Sequence, residues 1–319
     1  MTSRYSFANI NAFTQAGSDA IGNPASICLV DAFPDDDVMG QSAKLLGTPM
    51  TSFLTATSAP DTYSIRHFSP DGVENHVCGH ASIAAAEFLA RQNPDYRAGR
   101  DVTFKLNPKY AINADNSFHA RIKDRDITLT IPLINELERV DDSGFYTRLA
   151  QALGIRKKDI DGPAYYAPRI INYVVGIKNE AVLTSIKPDF NKLVALARSK
   201  KFTHEGIMLT AKPQTGPFDL TTRVFLPVIG VDEDIACGSS MCSVIPYWAM
   251  KRAGAFPDDK QEFTNLFSYP PCSDKGQVGG IQKIFMEAAK GQIHLTGQAT
   301  YHGDSTIDRH PDRKLVITP

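Results

Sequence analysis

The sequence predicts a mixed α+β protein built from two similar lobes. A Glu-x-x-x-Cys-Gly motif occurs twice, at Glu74–Gly79 and Glu233–Gly238, and each copy is followed by a helix-like run. Short strand-like segments with one central helix per half surround the two motifs, which is typical of α+β architectures. The sequence lacks the regular strand–helix alternation and the glycine fingerprint of a dinucleotide-binding sheet.

Length and composition limit the class of protein. The chain has 319 residues, of which 42% are hydrophobic, and this suffices for two domains with their own cores. We expect one lobe over residues 1–133 and a second over 134–319, with the last strands free to return to the first lobe. The net charge of −1 gives no electrostatic reason to expect nucleic acid or a membrane surface as a partner.

The compartment is predicted from two further features. The sequence contains no apolar run long enough to span a bilayer, and its first residues lack the apolar core of a signal peptide. The five cysteines are an odd number without the spacing of a disulfide framework. Both features favour a reducing, cytoplasmic setting, which reactive thiols would need.

Hydrophobic periodicity and turn residues place the elements. The predicted helices are Asp35–Leu46, Ala81–Ala90, Phe145–Leu153, Phe190–Lys200 and Met241–Met250. Gly154 and Asp189 are predicted to cap the third and fourth of these. The predicted strands are Tyr5–Phe13, Ser26–Val30, Met50–Thr57, Tyr63–Phe68, Val102–Leu106, Tyr110–Asn113, Phe118–Ile122, Ile127–Ile131, Ile170–Ile177, Ile207–Thr210, Leu220–Phe225, Ile281–Glu287 and Gln292–Leu295. Pro246 predicts a kink or a late start in the last helix.

Cys78 and Cys237 are the candidate catalytic residues. A cysteine at a helix N-terminus is stabilised as a thiolate by the helix dipole, and the free N–H groups there bind a carboxylate. Two such termini facing each other would let one thiolate remove a proton from a carbon while the other thiol returns one to the opposite face. This predicts inversion of a carbon next to a carboxylate without a cofactor. Two buried structural cysteines are the alternative.

For the other polar residues near the motifs, the sequence is compatible with either a substrate-binding role or a structural role. His80 is expected to donate to a substrate or line the site, although a satisfied histidine at a helix start fits nearly as well. Asn23 lies at a strand end with its amide available for a substrate, and capping its own turn is the simpler role. A metal site of His76, Cys78 and His80 is disfavoured because a fourth ligand at suitable spacing is missing.

The remaining cysteines have no partner motif. Cys28 lies in an apolar strand and is expected to belong to the core. Cys242 falls inside a predicted helix, and Cys272 falls in a loop. We therefore expect no catalytic role for these three thiols.

Several segments in the same order along the chain resemble the phenazine-biosynthesis isomerase-like (PhzF-like) proteins. They are Asn11–Thr14, Gly22–Ala25, Ile65–Pro70, Glu74–Ala81, Arg223–Pro227, Glu233–Ser240 and Tyr247–Trp248. The resemblance implies the diaminopimelate epimerase-like fold, with a mostly antiparallel sheet wrapped round a central helix in each lobe and an active site between the lobes. It also implies a homodimer.

The resemblance implies a substrate role for an acidic residue at Asp234, and a carboxylate there would complement an ammonium group. Capping of the following helix is the structural alternative for Asp234, and the two roles are compatible. Gly79, Gly238 and Ser239 would offer carboxylate-binding donors. The expected partner is therefore a small carboxylate, in the first instance an amino acid.

Two departures from the family pattern affect the predicted chemistry. Met50 stands where the phenazine isomerases carry a catalytic glutamate, and a thioether cannot transfer a proton. Cys237 stands where the family usually has threonine, as in diaminopimelate epimerase and proline racemase. These departures favour a racemase or epimerase. A phenazine-type isomerase using Asp234 or His80, and a binding protein without activity, are the alternatives.

Overall fold

A computed structural model describes residues 3–75, 78–110, 116–199, 203–257, 259–269, 277–309 and 315–318. Its α-helices are α1 (Asp36–Leu46), α2 (Gly79–Gln92), α3 (Ser143–Leu153), α4 (Glu180–Ser185), α5 (Phe190–Ala197) and α6 (Met241–Ala253). Its strands are β1 (Ser3–Thr14), β2 (Asn23–Leu29), β3 (Met50–Ala56), β4 (Thr62–Phe68), β5 (Glu74–Asn75), β6 (Ala98–Leu106), β7 (Ser117–Lys123), β8 (Asp126–Pro132), β9 (Glu138–Arg139), β10 (Tyr165–Ala167), β11 (Asn172–Gly176), β12 (Gly206–Ala211), β13 (Leu220–Leu226), β14 (Val231–Asp234), β15 (Lys260–Phe267), β16 (Gly280–Glu287), β17 (Gln292–Arg309) and β18 (Leu315–Thr318).

The chain forms two compact units. The first contains residues 1–131 and 295–319, and the second contains residues 132–294. The end of the chain belongs to the first unit because β17 pairs antiparallel with β1 from Thr14–Gln298 to Ser3–Arg309, and β18 pairs with the end of β17.

The first unit is a mostly antiparallel sheet. β1 pairs antiparallel with β2 and β17, and β3 pairs antiparallel with β4. The strands β6, β7 and β8 form an antiparallel meander. The parallel pairs are β2 with β3 and β4 with β6, joined through α1 and α2 respectively. Because β8 also pairs with β17, the strands close on themselves.

The helix α2 is the centre of the first unit. It packs against β1, β2, β3 and β7. Its residues from Gly79 to Glu87 are all buried, as expected for a helix that is surrounded on every side. The run of alanines in this helix leaves little side-chain volume, which lets the strands approach closely.

The second unit repeats the element order of the first. β11 pairs parallel with β12, β12 antiparallel with β13, and β13 antiparallel with β14. The buried helix α6 follows β14 as α2 follows β5. β15 then pairs parallel with β13 and antiparallel with β16, as β6 pairs with β4 and β7. The predicted architecture of a mostly antiparallel sheet with a central helix is confirmed in each unit.

Pro246 lies inside α6, and the helix continues through it. Proline lacks an N–H group, so the carbonyl of Cys242 loses its usual helical donor. The N–H of Ile134 donates to this carbonyl at 3.1 Å instead. A contact distant in sequence therefore satisfies the carbonyl that proline leaves without a helical donor.

Most predicted elements are present, and the differences concern short or polar segments. The caps are confirmed, since Gly154 adopts a left-handed conformation and the Asp189 carboxylate accepts the N–H of Lys192. The predicted strand 110–113 is wrong at Tyr110, which ends a 3-10 helix, and its other residues lie outside the described ones. β17 is much longer than predicted because pairing along β1 extends it. The elements missed were β5, β9, β10, β14, β15, β18 and α4.

Candidate active site

Cys78 is placed at the start of the central helix of the first unit. It is the N-cap residue of α2, with an extended backbone conformation, and 9% of its surface is exposed. Its thiol lies 3.3 Å from Nδ1 of His80. The hydroxyl of Ser82 donates to the Cys78 carbonyl at 2.6 Å, which fixes the backbone of the cysteine to the first turn. The predicted position at a helix N-terminus is thus observed for Cys78.

His80 is buried, and burial lowers its pKa to about 3. The imidazole is therefore neutral at pH 7, with one ring nitrogen as a hydrogen-bond donor and the other as an acceptor. His67 in β4 is also buried, and its pKa is lowered to about 3, mainly by burial and further by His80. Its Nδ1 lies 2.8 Å from the hydroxyl of Ser52. The motif thus has a second neutral histidine associated with it.

His67 was not among the residues predicted from the sequence. The signal that could have identified it is a lone histidine in the apolar strand that leads into the first motif. A histidine in such a strand is usually an ordinary core residue. Only the tertiary structure makes it electrostatically coupled to His80.

Cys237 is not at the helix start itself, in contrast to the prediction. The helix α6 begins at Met241 with Ser240 as its N-cap, so Cys237 lies in the preceding turn. Its thiol lies 3.4 Å from the hydroxyl of Ser239, and the hydroxyl of Ser240 donates to its carbonyl at 2.8 Å. Because the dipole effect falls off within the first turn, it acts less strongly on Cys237 than on Cys78.

The two thiols share one local arrangement. Each is almost entirely buried and contacts a polar side chain two residues later, His80 for Cys78 and Ser239 for Cys237. Each follows a short strand that ends a β-hairpin. The partners differ chemically, since His80 offers a neutral imidazole and Ser239 offers a hydroxyl.

The other predicted binding residues are distributed over both units. Gly79 is the first residue of α2 and is buried beside Cys78, and Gly238 is buried beside Cys237. Asp234 ends β14, and its carboxylate accepts the N–H of Ala236 at 3.2 Å. Because Ala236 precedes the first residue of α6, Met241, this bond caps the turn around Cys237 and not the helix. Asn23 is buried at the start of β2, opposite Ala12 of β1.

The structure places the other residues discussed from the sequence as follows. Met50 is half-buried and begins β3. Burial raises the pKa of both Cys28 and Cys242 to about 12, so these thiols are inert at neutral pH. His76 and Cys272 lie outside the described residues.

The described part of the chain contains neither a cluster of metal ligands nor a membrane-spanning helix. No group of three or more histidine, cysteine, aspartate or glutamate side chains in it could hold a metal ion. None of its helices combines the length and apolar character needed to cross a membrane.

Comparison with known proteins agrees with this architecture. The family model described as phenazine biosynthesis-like protein matches residues 10–304. An uncharacterized isomerase of Halalkalibacterium halodurans is 28% identical over 290 residues, which are 91% of this chain and 93% of the relative.

Solved structures share the fold. A PhzF family phenazine biosynthesis protein of Enterococcus faecalis superposes with a TM-score of 0.74 at 23% identity, covering 95% of this chain and 99% of that one. A hydroxyproline epimerase from Agrobacterium vitis, with bound trans-4-hydroxy-L-proline, gives a TM-score of 0.57 at 13% identity, covering 97% and 94%. The chain belongs to the phenazine biosynthesis-like (PhzC-PhzF) family and is an isomerase with the diaminopimelate epimerase-like fold.

Proposed function

We propose that the protein is a cofactor-independent racemase or epimerase that inverts the carbon next to the carboxylate of a small substrate, in the first instance an amino acid. Cys78 and Cys237 are the two acid/bases of this proposal. The observation that carries it is the repeated thiol arrangement, in which each unit places one nearly buried cysteine between a hairpin and a central helix.

The proposed reaction transfers one proton out and one proton in. One cysteine, as thiolate, takes the α-proton, and the electron pair of the C–H bond passes to the carbon and its carboxylate. The other cysteine, as thiol, donates its proton to the opposite face of that carbon. The enzyme ends with the protonation states of the two thiols exchanged, which suits a reaction that runs in both directions.

The α-proton of an amino acid is a weak acid, so the carboxylate must be neutralised as charge develops. Backbone N–H groups next to the cysteines are the donors we propose for this purpose. The substrate-binding residues of the proposal are Asn23, Gly79, His80, Asp234, Gly238 and Ser239. Among them, the Asp234 carboxylate would hold the ammonium group.

A phenazine-type isomerisation is the second candidate, and one specific observation favours it. His80 lies buried beside Cys78 at the first motif, where its imidazole would take the place of the glutamate that Met50 replaces. This reaction would move a proton and a double bond in a cyclic acid, and it would not need a second thiol.

The test combines isotope exchange with two matched substitutions. The protein is incubated under reducing conditions in D2O with a panel of L- and D-amino acids, and loss of the α-proton signal is followed by NMR with chiral chromatography of the product. We expect exchange with inversion for at least one substrate, and near-complete loss of it in both Cys78→Ser and Cys237→Ser.

Three other outcomes would overturn parts of this proposal. Activity on a cyclic acid with only a mild loss in Cys237→Ser would favour the phenazine-type reaction. Exchange without inversion would exclude two-base chemistry. No exchange with any amino acid, in protein whose thiols titrate as reduced, would exclude free amino acids as substrates.

A homodimer and a cytoplasmic location remain predictions, and sedimentation of the purified protein tests the first.

A further inference from the structure

The same bidentate ion pair occurs ahead of each cysteine. In the first unit it joins Arg66 of β4 to Glu74 of β5, with Nε to Oε1 at 2.7 Å and Nη2 to Oε2 at 2.6 Å. In the second unit it joins Arg223 of β13 to Glu233 of β14, with the same atoms at 2.7 and 2.9 Å. Each glutamate stands four residues before its cysteine.

The first ion pair makes further hydrogen bonds and a ring contact with neighbouring residues. The third nitrogen of Arg66, Nη1, donates to Asp36 in the first turn of α1 at 2.8 Å. The amide of Asn107 donates to both oxygens of Glu74 at 3.1 and 3.2 Å. The guanidinium lies 5.3 Å from the ring of Phe68. Side-chain exposure is 12% for Arg66 and 11% for Glu74, so solvent screens this pair little.

The second ion pair is still more enclosed. The Nη1 of Arg223 donates to the carbonyls of Leu183 and Ile186, at the C-terminal end of α4, at 2.9 and 2.8 Å. The guanidinium lies 5.0 Å from the ring of Phe225, which is two residues later, as Phe68 is in the first unit. Side-chain exposure is 3% for Arg223 and 11% for Glu233.

Stability alone gives no reason for this repetition. A buried ion pair often contributes no more to stability than well-packed apolar residues would. It does fix geometry, because the guanidinium donates two parallel hydrogen bonds to a carboxylate that lies in its plane. Each pair joins the two strands of a hairpin and links that hairpin to the helix between the preceding parallel strands. The strand that carries the glutamate leads directly to the cysteine.

We propose that Arg66 with Glu74, and Arg223 with Glu233, are positioning residues that hold Cys78 and Cys237 where they react. We call the two ion pairs the hairpin clamps. This inference rests on the proposed role of the two cysteines, and it is specific by unit, since each clamp acts on its own thiol. The clamps touch no substrate in this scheme.

The test measures the thiols directly and so needs no substrate. The rate of iodoacetamide modification of Cys78 and Cys237 is measured by peptide mass spectrometry across pH in Glu74→Gln and Glu233→Gln. We expect Glu233→Gln to make Cys237 react about ten-fold faster at pH 7 and to leave the rate of Cys78 unchanged. We expect Glu74→Gln to make Cys78 react about ten-fold faster and to leave the rate of Cys237 unchanged. The cause is local opening, which exposes a buried thiol.

Matched controls come from two other bidentate pairs. Asp308→Asn weakens the pair with Arg4 in the first unit, and Asp159→Asn weakens the pair with Arg156 in the second. Both should leave the two thiol profiles unchanged. The positioning role is overturned if the clamp variants leave both profiles unchanged, or if the controls shift them equally.

Activity and folding give independent readouts. We expect the clamp variants to lower kcat by about 10²-fold with little change in KM, the loss typical of a misplaced reacting group. If a glutamine variant does not fold, the double variant Arg223→Met with Glu233→Leu carries the test, because it leaves no buried charge unpaired. Altered thiol profiles in a protein without racemase activity would uphold the clamps and reject the proposed function.

Discussion

The Cys78 thiol and the His80 imidazole contact each other at 3.3 Å, at the first residues of the central helix. Burial lowers the pKa of His80 to about 3, so the imidazole is neutral at pH 7 and meets the thiol as a neutral hydrogen-bond partner. The other thiol, Cys237, has a serine hydroxyl in the equivalent place. The two acid/bases of the proposed reaction therefore differ in their resting environments.

This difference predicts unequal effects of two matched substitutions. His80→Asn should lower kcat by about 10²-fold, because Cys78 loses the imidazole that orients its thiol, whereas Ser239→Ala should lower it only a few-fold. The pH profile of kcat should move only in the histidine variant. Equal losses in the two variants, with the same pH profile, would contradict a special role for His80 as the partner of the Cys78 thiol.

The four described cysteines are predicted to fall into two reactivity classes. With limiting iodoacetamide at pH 8, Cys78 and Cys237 should be modified first, and Cys28 and Cys242 should remain unmodified because burial raises their pKa to about 12. Peptide mass spectrometry distinguishes the sites. Unfolding in guanidinium should make all of them react, which serves as the control. Preferential modification of Cys28 or Cys242 in the folded protein would contradict the assignment.

Stability is predicted to fall as the pH falls below about 6.5, the ordinary pKa of histidine. Burial lowers the pKa of His67 and His80 to about 3, and that of His204 to about 4. The unfolded chain therefore binds protons that the folded protein does not, and each such group lowers the unfolding free energy by about 1.4 kcal/mol per pH unit. Stability from this source is fully present above pH 6.5.

Urea titrations at pH 7, 6 and 5 measure this dependence. His204→Phe supplies the matched variant, since it removes one titrating group and keeps a ring against Tyr173. Its stability should fall less steeply, by about 1.4 kcal/mol per pH unit. If the slope of stability against pH is the same in His204→Phe and in the parent, His204 does not have the lowered pKa that burial would give it.

Gly40 in α1 is predicted to be required for packing. A Cβ atom there would lie 2.6 Å from the carbonyl oxygen of Gly72, in the turn between β4 and β5. An alanine usually stabilises a helix interior by about 1 kcal/mol relative to glycine. Gly40→Ala should instead destabilise the protein by about 2 kcal/mol, because the turn must move.

Denaturant unfolding measures this change, with Gly47→Ala as the comparison. Gly47 has a left-handed backbone and open space around its Cβ position, so only conformational strain of about 1 kcal/mol is expected there. A Gly40→Ala variant as stable as the parent would show that the turn yields easily.

Much of the fold and of the local structure at the site was predictable because it is encoded locally. The duplicated motif, the helix after each cysteine and the caps at Gly154 and Asp189 depend on residues close together in sequence. Such features follow from turn chemistry and periodicity. The expected position of Cys237 at a helix terminus is the exception, since α6 begins at the predicted Met241 and three residues separate it from Cys237.

The sequence by itself determined the repeat and the mixed α+β class, and it pointed to the two thiols of the proposed reaction. Only the tertiary structure decided the length of β17, the coupling of His67 to His80 and the pairing of each clamp arginine with its glutamate. The physical reason is the separation in sequence over which each effect acts. Propensities and caps act over a few residues, whereas strand pairing, burial and buried ion pairs depend on which distant segments the fold brings together.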